Sequence, residues 1–265
     1  MTFQPVIPTS GLVGWRFLQR TYDAQLQTFS ASAENERETQ YFLENIRNVR
    51  SAEDLVSDRR LLRVALDAFG LEADLDNRYF IQKVLSDGTK AEDALANRLA
   101  DSRYREFSEA FGLGPGEVRK TALITDMEKI AQKGIVARFE SAVGESDETM
   151  RIALYAQHSL RELAEQTGSE TKKWYDLMSL PPLRSMMETA LGLPSSFGQL
   201  DIDKQLEIFR DKLAGLTGSE DLSQFVSTQA IQSLTDTYLA RSQIAQIQSA
   251  VSPAQTALIL LGATG

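Results

Sequence analysis

Cysteine is absent from the 265 residues, and histidine occurs once, as His158. No disulfide framework, Cys-ligated zinc, iron–sulfur cluster or thiol nucleophile can be built from this chain. A single histidine also excludes poly-His metal sites and leaves at most one Ser–His pair. Glycine and proline are scarce, at 16 and 7 residues, below their usual combined share of about 12%. So few breakers favour helices. Cations are outnumbered, 28 Lys and Arg against 37 Asp and Glu, for a formal charge of −9. That balance argues against a nucleic-acid partner, because a phosphate backbone calls for a basic face. The longest aliphatic run is Ala257-Leu258-Ile259-Leu260-Leu261, far short of the ~20 residues that span a bilayer. The first cation is Arg16, so the basic start of a secretory signal is missing. A cytoplasmic protein is expected, or one exported without a cleavable signal peptide.

What is present reads as helix throughout. Hydrophobic residues make up 42% and charged residues 25%, enough to bury a core. Residues 1–11 hold Pro5, Pro8 and Gly11 and no charge, and read as a mobile N-terminal tail. From Leu12 to Thr28, Trp15, Leu18, Tyr22, Leu26 and Phe29 recur every three or four residues, as on one helix face. A second helix follows Ser32, with Phe42, Ile46 and Val49 on one side. Ser51-Ala52-Glu53-Asp54 reads as a capping box with Asp in the reaching position. Asp58 reads as the cap of a helix running to Phe69. Gly70 takes the left-handed terminal position and Leu71 packs back. Pro115 reads as the start of a long helix toward Val143, carrying Val118, Ala122, Ile130 and Val136. Ser146 reads as the cap of a helix reaching Gln166. No period-two strand pattern stands out.

The text also repeats. Asp54-Leu55-Val56-Ser57 matches Asp176-Leu177-Met178-Ser179, and Ala68-Phe69-Gly70-Leu71 matches Ala190-Leu191-Gly192-Leu193, both at an offset of 122. Ala110-Phe111-Gly112-Leu113 repeats the terminator. Ordinary helix caps account for part of this, but two colinear matches at one offset point to copying. The expected fold is all-α: an elongated multi-helix array with an internal duplication of helical-hairpin units that stack to share a core. The expected organisation is a tail (1–11), an N-terminal half (12–113), central long helices (114–170), a C-terminal half (171–252) and a C-terminal tail (253–265).

No motif carries chemistry strongly. His158 has no evident carboxylate partner in the text. Gly112-Leu113-Gly114-Pro115-Gly116 lacks the preceding strand and the Lys-Ser/Thr of a phosphate loop and reads as a turn between helices. Asp74-Leu75-Asp76-Asn77 lacks the glycine and the twelfth-position Glu of a calcium loop. No catalytic, cofactor-binding or metal-ligating residue is assigned. Glu34, Glu36 and Glu38, and likewise Arg59, Arg60 and Arg63, read as solvated helix faces. The candidate partner contacts are Trp15, Phe17, Arg59, Arg60, Leu258, Ile259, Leu260 and Leu261. Core packing is the plainer role for Trp15, and docking on the protein's own body for the tail. Ile231, Leu234, Tyr238, Ile244, Ile247 and Val251 form a stripe interrupted at Arg241, which favours packing within the chain over a coiled coil.

Several stretches resemble a known family. They are Gly11-Leu12-Val13-Gly14-Trp15-Arg16-Phe17-Leu18, Tyr41-Phe42 with Asn45-Ile46, Asp58-Arg59-Arg60-Leu61-Leu62, Val64-Ala65-Leu66, Ala68-Phe69-Gly70-Leu71 and Val84-Leu85-Ser86-Asp87-Gly88. Together they are similar to an alphaproteobacterial domain-of-unknown-function family of helical proteins, most closely over residues 11–113. Genes of that family often lie among flagellar genes, and it brings no catalytic residues to carry over. The resemblance implies a flagellar setting. The expectation is a non-enzymatic helical protein that binds other proteins in flagellar assembly or function. The alternatives are an exported structural component of the flagellum, and an enzyme with a carboxylate-and-arginine site in a helical cleft.

Overall fold

A computed structural model describes residues 3–250. The expected C-terminal tail at 253–265, with Leu258, Ile259, Leu260 and Leu261, and Val251 of the last stripe lie outside these residues. Among the described residues there are thirteen α-helices joined by turns and short 3-10 segments, and no strand. The fold is all-α. The chain divides into two compact units. The first holds residues 3–6, 20–146 and 178–180, and the second residues 7–19, 147–177 and 181–250.

Helix α1 (Gly11–Ser30) contributes its first half to the second unit and the remainder to the first. The first unit continues with α2 (Ala33–Asn45), α3 (Ala52–Ser57), α4 (Arg59–Asp67), α5 (Arg78–Asp87), α6 (Leu95–Arg98), α7 (Arg103–Phe111) and α8 (Ile124–Gly144). Two of its short helices, α3 and α4, begin on side-chain caps that satisfy otherwise free N–H groups. Ser51 Oγ accepts from the Asp54 N–H, and the Asp54 carboxylate accepts from the Ser51 N–H, which is the expected reciprocal cap. Asp58 accepts from the N–H groups of Arg60 and Leu61 and starts α4. Gly70 has φ +64°, and the Leu71 N–H reaches back to the Leu66 carbonyl at 3.0 Å. Ser32 stands before α2 without a side-chain cap bond.

Helix α4 is the centre of this unit's core. Leu61, Leu62, Val64, Ala65 and Leu66 are all buried, while Arg59, Arg60 and Arg63 hold the exposed strip. Burying one such aliphatic side chain is worth about 1.5–3 kcal/mol, so α4 is stable only when neighbours cover it. Helices α2, α3 and α8 pack on it. Phe42, Leu55, Phe107 and Phe111 complete the core, with Phe107 packed edge-on to Phe69.

One expected helix start is corrected. The stretch 112–123 is not helical, and α8 begins at Ile124 rather than Pro115. Gly112 and Gly116 both take positive φ, and the Glu117 carboxylate gathers the turn. It accepts from the Thr89 N–H at 2.6 Å, the Thr89 hydroxyl at 2.7 Å and the Gly114 N–H at 3.0 Å. Val118 and Ala122 are therefore exposed instead of lining a helix.

The second unit holds α9 (Glu148–Glu165), α10 (Glu170–Ser179), α11 (Pro181–Leu191), α12 (Ile202–Thr217) and α13 (Thr228–Ala250). Asp147, not Ser146, caps α9, accepting from the Thr149 and Met150 N–H groups. Trp174 stacks on Phe209 at 5.7 Å, and Phe197 meets Phe209 edge-on. Element order recurs between the units. Helices α3 and α4, a 3-10 segment at Glu72–Asp74 and α5 parallel α10 and α11, a 3-10 segment at Ser195–Gln199 and α12. Gly192 has φ +67°, and Leu193 N–H reaches the Glu188 carbonyl at 2.8 Å, repeating the Gly70 terminator at the same offset.

Residues 3–10 are irregular, and the Val6 N–H and C=O bond the Gln25 side-chain amide at 2.7 and 3.2 Å. In the second unit, a Cβ added to Gly14 would sit 1.6 Å from the Thr9 carbonyl oxygen and 2.7 Å from Met150 Cε. The backbone of α1 can approach only because that residue has no side chain. Gly14→Ala is expected to destabilise the second unit by about 2 kcal/mol or more, as overpacked sites do. Both tryptophans, Trp15 and Trp174, belong to that unit, so denaturant unfolding followed by tryptophan fluorescence checks this; an unshifted midpoint would refute the close approach.

Candidate functional site

The expected contact residues fall into different settings. Trp15 is 1% exposed, so its ring is enclosed by the chain, and Phe17 is half-buried. Arg59 and Arg60 are exposed but engaged. Arg59 pairs with Asp76 at 2.5 Å. Arg60 lies over the Tyr41 ring at 3.6 Å and stands 3.5 Å from Glu38 Oε1. The Tyr41 hydroxyl donates to Asp58 Oδ2 at 2.7 Å, and that bond raises the tyrosine's pKa. The capping residue of α4 thus also anchors the surface over which Arg60 lies. His158 is exposed on α9, edge-on to Tyr155, with its Nδ1 3.2 Å from the Ser159 hydroxyl oxygen.

A buried polar junction in the first unit is the least conventional feature. Three helices supply it: Glu38 from α2, Asp67 from α4 and Arg138 from α8. Gly134, one turn before Arg138, allows α8 close to α4, since a Cβ there would lie 3.2 Å from the Val64 carbonyl oxygen. The same register sets Arg138 against Asp67, with Nε 3.7 Å from Oδ2. That spacing is an ion pair but is too long for a direct hydrogen bond. Asp67 is 6% exposed. Asp67 Oδ2, Glu38 Oε2, and Arg138 Nε and Nη2 are all buried without a hydrogen-bond partner. Burial pushes the Asp67 carboxyl up to about 7; Arg138 opposes this, and Glu72 and Glu38 add to it.

The second unit holds a buried polar group of the opposite kind. Lys173 is 6% exposed, yet its Nζ donates to the Ala164 carbonyl at 2.7 Å and the Ser223 hydroxyl at 2.9 Å, and stands 3.3 Å from Glu170 Oε1. Glu170 also accepts from the Leu222 N–H at 2.7 Å and from the Ser223 hydroxyl. Trp174 Nε1 donates to the Glu220 carbonyl at 3.0 Å. These bonds tie α10 to the end of α9 and to the segment before α13. They are structural fasteners, because every polar atom named is used internally.

Two open grooves lie among the described residues. One, of about 630 Å³, lies among the end of α1, α2 and α8, with Thr39, Gln40, Leu43, Arg47 and Ile135 along it. The other, about 520 Å³, runs along α12 with Asp203, Glu207, Asp211 and Glu220 on its walls. Neither is lined by Asp67, Glu38 or Arg138. Among the described residues no group of three His, Asp or Glu side chains could hold a metal ion, and no helix is long and apolar enough to cross a membrane. Sequence reading missed Asp67 and Arg138. The available signal was a carboxylate inside the apolar text Val64-Ala65-Leu66-Asp67-Ala68-Phe69.

Lys173→Ala removes the donor from the Ala164 carbonyl and the cation from Glu170, and is expected to cost about 2–3 kcal/mol, as loss of a hydrogen-bonded buried charge does. Desolvation raises the Glu170 pKa, but the bonds from Ser223, the Leu222 N–H and Lys173 outweigh it, so the net shift is downward. A lowered folded-state pKa gives stability that is present above the unfolded carboxylate value and lost as pH falls through the folded one. Tryptophan-monitored unfolding should therefore weaken on acidification in the native chain, and less so in Glu170→Gln. Identical acid slopes would contradict that role.

The fold has a counterpart among solved structures. The crystal structure of protein AGR_C_984 from Agrobacterium tumefaciens matches with a TM-score of 0.72 at 22% identity, covering 91% of this chain and 99% of that one. At that identity the likeness concerns the fold alone. No curated protein matches the sequence. The family described as protein of unknown function DUF1217 matches residues 68–231. That match takes in α5 through α12 whole and spans more than half of the sequence, so the chain belongs to the DUF1217 family.

Proposed function

We propose that this is a non-enzymatic helical protein that binds other proteins and acts in flagellar assembly or function. The observation that carries the binding reading is the end of α13. Ile231, Leu234, Tyr238 and Leu239 are buried, but one further turn along the helix Ile244 and Ile247 are 55% and 59% exposed. Branched apolar side chains one turn apart on a helix are the anchors that groove-binding helices use. The flagellar part rests on the resemblance of residues 11–113 to a family whose genes neighbour flagellar genes. The protein would act in the cytoplasm, or be exported without a cleavable signal and built into the flagellum. The recurring element order, with Gly70 and Gly192 as matching terminators, supports the inference that residues 12–113 and 171–252 arose by copying.

An enzymatic reading draws on one observation, the convergence of Asp67, Glu38 and Arg138. Asp67 is buried, and those side chains line neither of the two grooves described above. The test is deletion of the gene, scored by swimming and filament assembly, with complementation by the native chain and by an Ile244→Asp, Ile247→Asp variant. Deletion is expected to impair motility. The variant should fold, as shown by circular dichroism and tryptophan fluorescence, yet fail to restore swimming. Normal motility after deletion would overturn the flagellar reading, and full rescue by the variant would overturn the α13 contact. Fractionation separates an exported component from a cytosolic one.

A further inference from the structure

The junction of α2, α4 and α8 is unbalanced in hydrogen bonding. Asp67 stands 3.7 Å from Arg138, Glu38 acts on Asp67 from α2, and Glu38 itself pairs with Arg60. Asp67, Glu38 and Arg138 each contribute at least one buried polar atom with no partner. Native interiors rarely keep such atoms without a reason. An ionised Asp67 carboxylate that no donor reaches is costly where the dielectric is low. Adding one proton removes that buried charge. It also turns an acceptor-only group into one with an O–H to donate.

We propose that this junction is a proton-binding site in which Asp67 takes up one proton from solvent while Glu38 keeps its ion pair with Arg60. Asp67 is the carrier because it is the deeper of the two acids. Its side chain is 8% exposed against 16% for Glu38, and Glu38 Oε1 has its own cation, Arg60, at 3.5 Å. The charged groups acting on Asp67 come from each surrounding element. They are Arg63 on its own helix, Glu38 from α2, Arg138 from α8 and Glu72 from the 3-10 segment that follows α4. The charged residues of α3, Glu53 and Asp54, are exposed, and Asp54 is taken up by the N–H groups of Arg50 and Ser51. Glu140, two residues beyond Arg138, acts on Tyr22.

The consequence has a definite sign. Burial holds the folded-state value near 7, above the usual carboxylate range of about 4. Between those limits the folded chain binds the extra proton and the unfolded chain does not. The junction's contribution is complete in acid and is lost as pH rises through neutrality. One bound proton corresponds to a change of at most about tenfold per pH unit in the opening equilibrium. Helix α4, packed against both α2 and α8, is where opening would be read.

The experiment uses the full chain. Amide hydrogen exchange of peptides covering Arg59–Asp67, corrected for intrinsic rates, is compared at pH 5.5 and 7.5 for the native chain, Asp67→Asn and Glu38→Gln. The native chain is expected to lose at least fivefold protection at the higher pH. Asp67→Asn, neutral and able to donate at both values, is expected to show no such loss, while Glu38→Gln, which retains Asp67, should keep a reduced one. Equal pH dependence in the native chain and Asp67→Asn would overturn the proposal. Because Asp67→Asn could fail to fold, the side-chain carboxyl carbon of Asp67 is also titrated by NMR in the native chain. A midpoint near neutrality supports the proposal, and one near 4 overturns it whatever the variants do.

Discussion

The first unit depends on the burial of α4. A helix that is apolar around most of its circumference cannot rest on a surface; it must be enclosed. Leu61, Leu62, Val64, Ala65 and Leu66 leave only the strip of Arg59, Arg60 and Arg63 for solvent. Helices α2, α3 and α8 fill the other sides. Once that enclosure is set, the remaining choices follow. Gly134 appears where α8 must come close, and Arg60 lies over Tyr41 because the exposed strip faces α2. Asp67, in the last turn, is carried inside with its neighbours. Its environment is thus a by-product of packing that α8 answers with one arginine.

The two units treat buried charge differently, and the difference separates fastening from responsiveness. Lys173 in the second unit is as deeply buried as Asp67, at 6% exposure each. Three partners surround Lys173 Nζ, and its acid, Glu170, is bonded from two further directions. A satisfied buried pair of that sort rigidifies. At Asp67 the nearest cation stands at 3.7 Å and no donor reaches Oδ2. Such a group is governed by desolvation, which favours the uncharged acid. Lys173 and Asp67 are buried to the same depth, so the count of hydrogen bonds is what separates the fastened group from the unsatisfied one.

Local grammar made much of the architecture legible. The capping box at Ser51, the Asp58 cap and the Gly70 and Gly192 terminators are contacts within a few residues, so sequence alone specifies them. The all-helical class followed from the scarcity of breakers and the 3.6-residue stripes. The α8 start was lost because a residue far back in the chain decides it. Thr89, 28 positions before Glu117, takes that carboxylate and holds the turn open. The buried junction was lost for a related reason. Glu38 was read with Glu34 and Glu36 as one solvated face, yet α2 turns Glu38 toward α4 and leaves the other two outside. Which charge on a mixed helix faces inward is a property of the neighbour, and the neighbour lies elsewhere in the text.

Helix α13 shows the same limit from the other direction. Its stripe is interrupted at Arg241 in the sequence, but the apolar residues resume beyond it at Ile244 and Ile247. In the structure the helix is covered through Leu239 and uncovered at Ile244 and Ile247. Near Arg241 the reason becomes visible, since its guanidinium lies where a Cβ on Gly192 would fall, 2.2 Å away. A long side chain fills the notch left by a left-handed glycine, marking the end of the covered stretch. Beyond it the residue types remain those of a core face while the surroundings are solvent. That mismatch between composition and exposure is the feature on which the proposed binding reading rests.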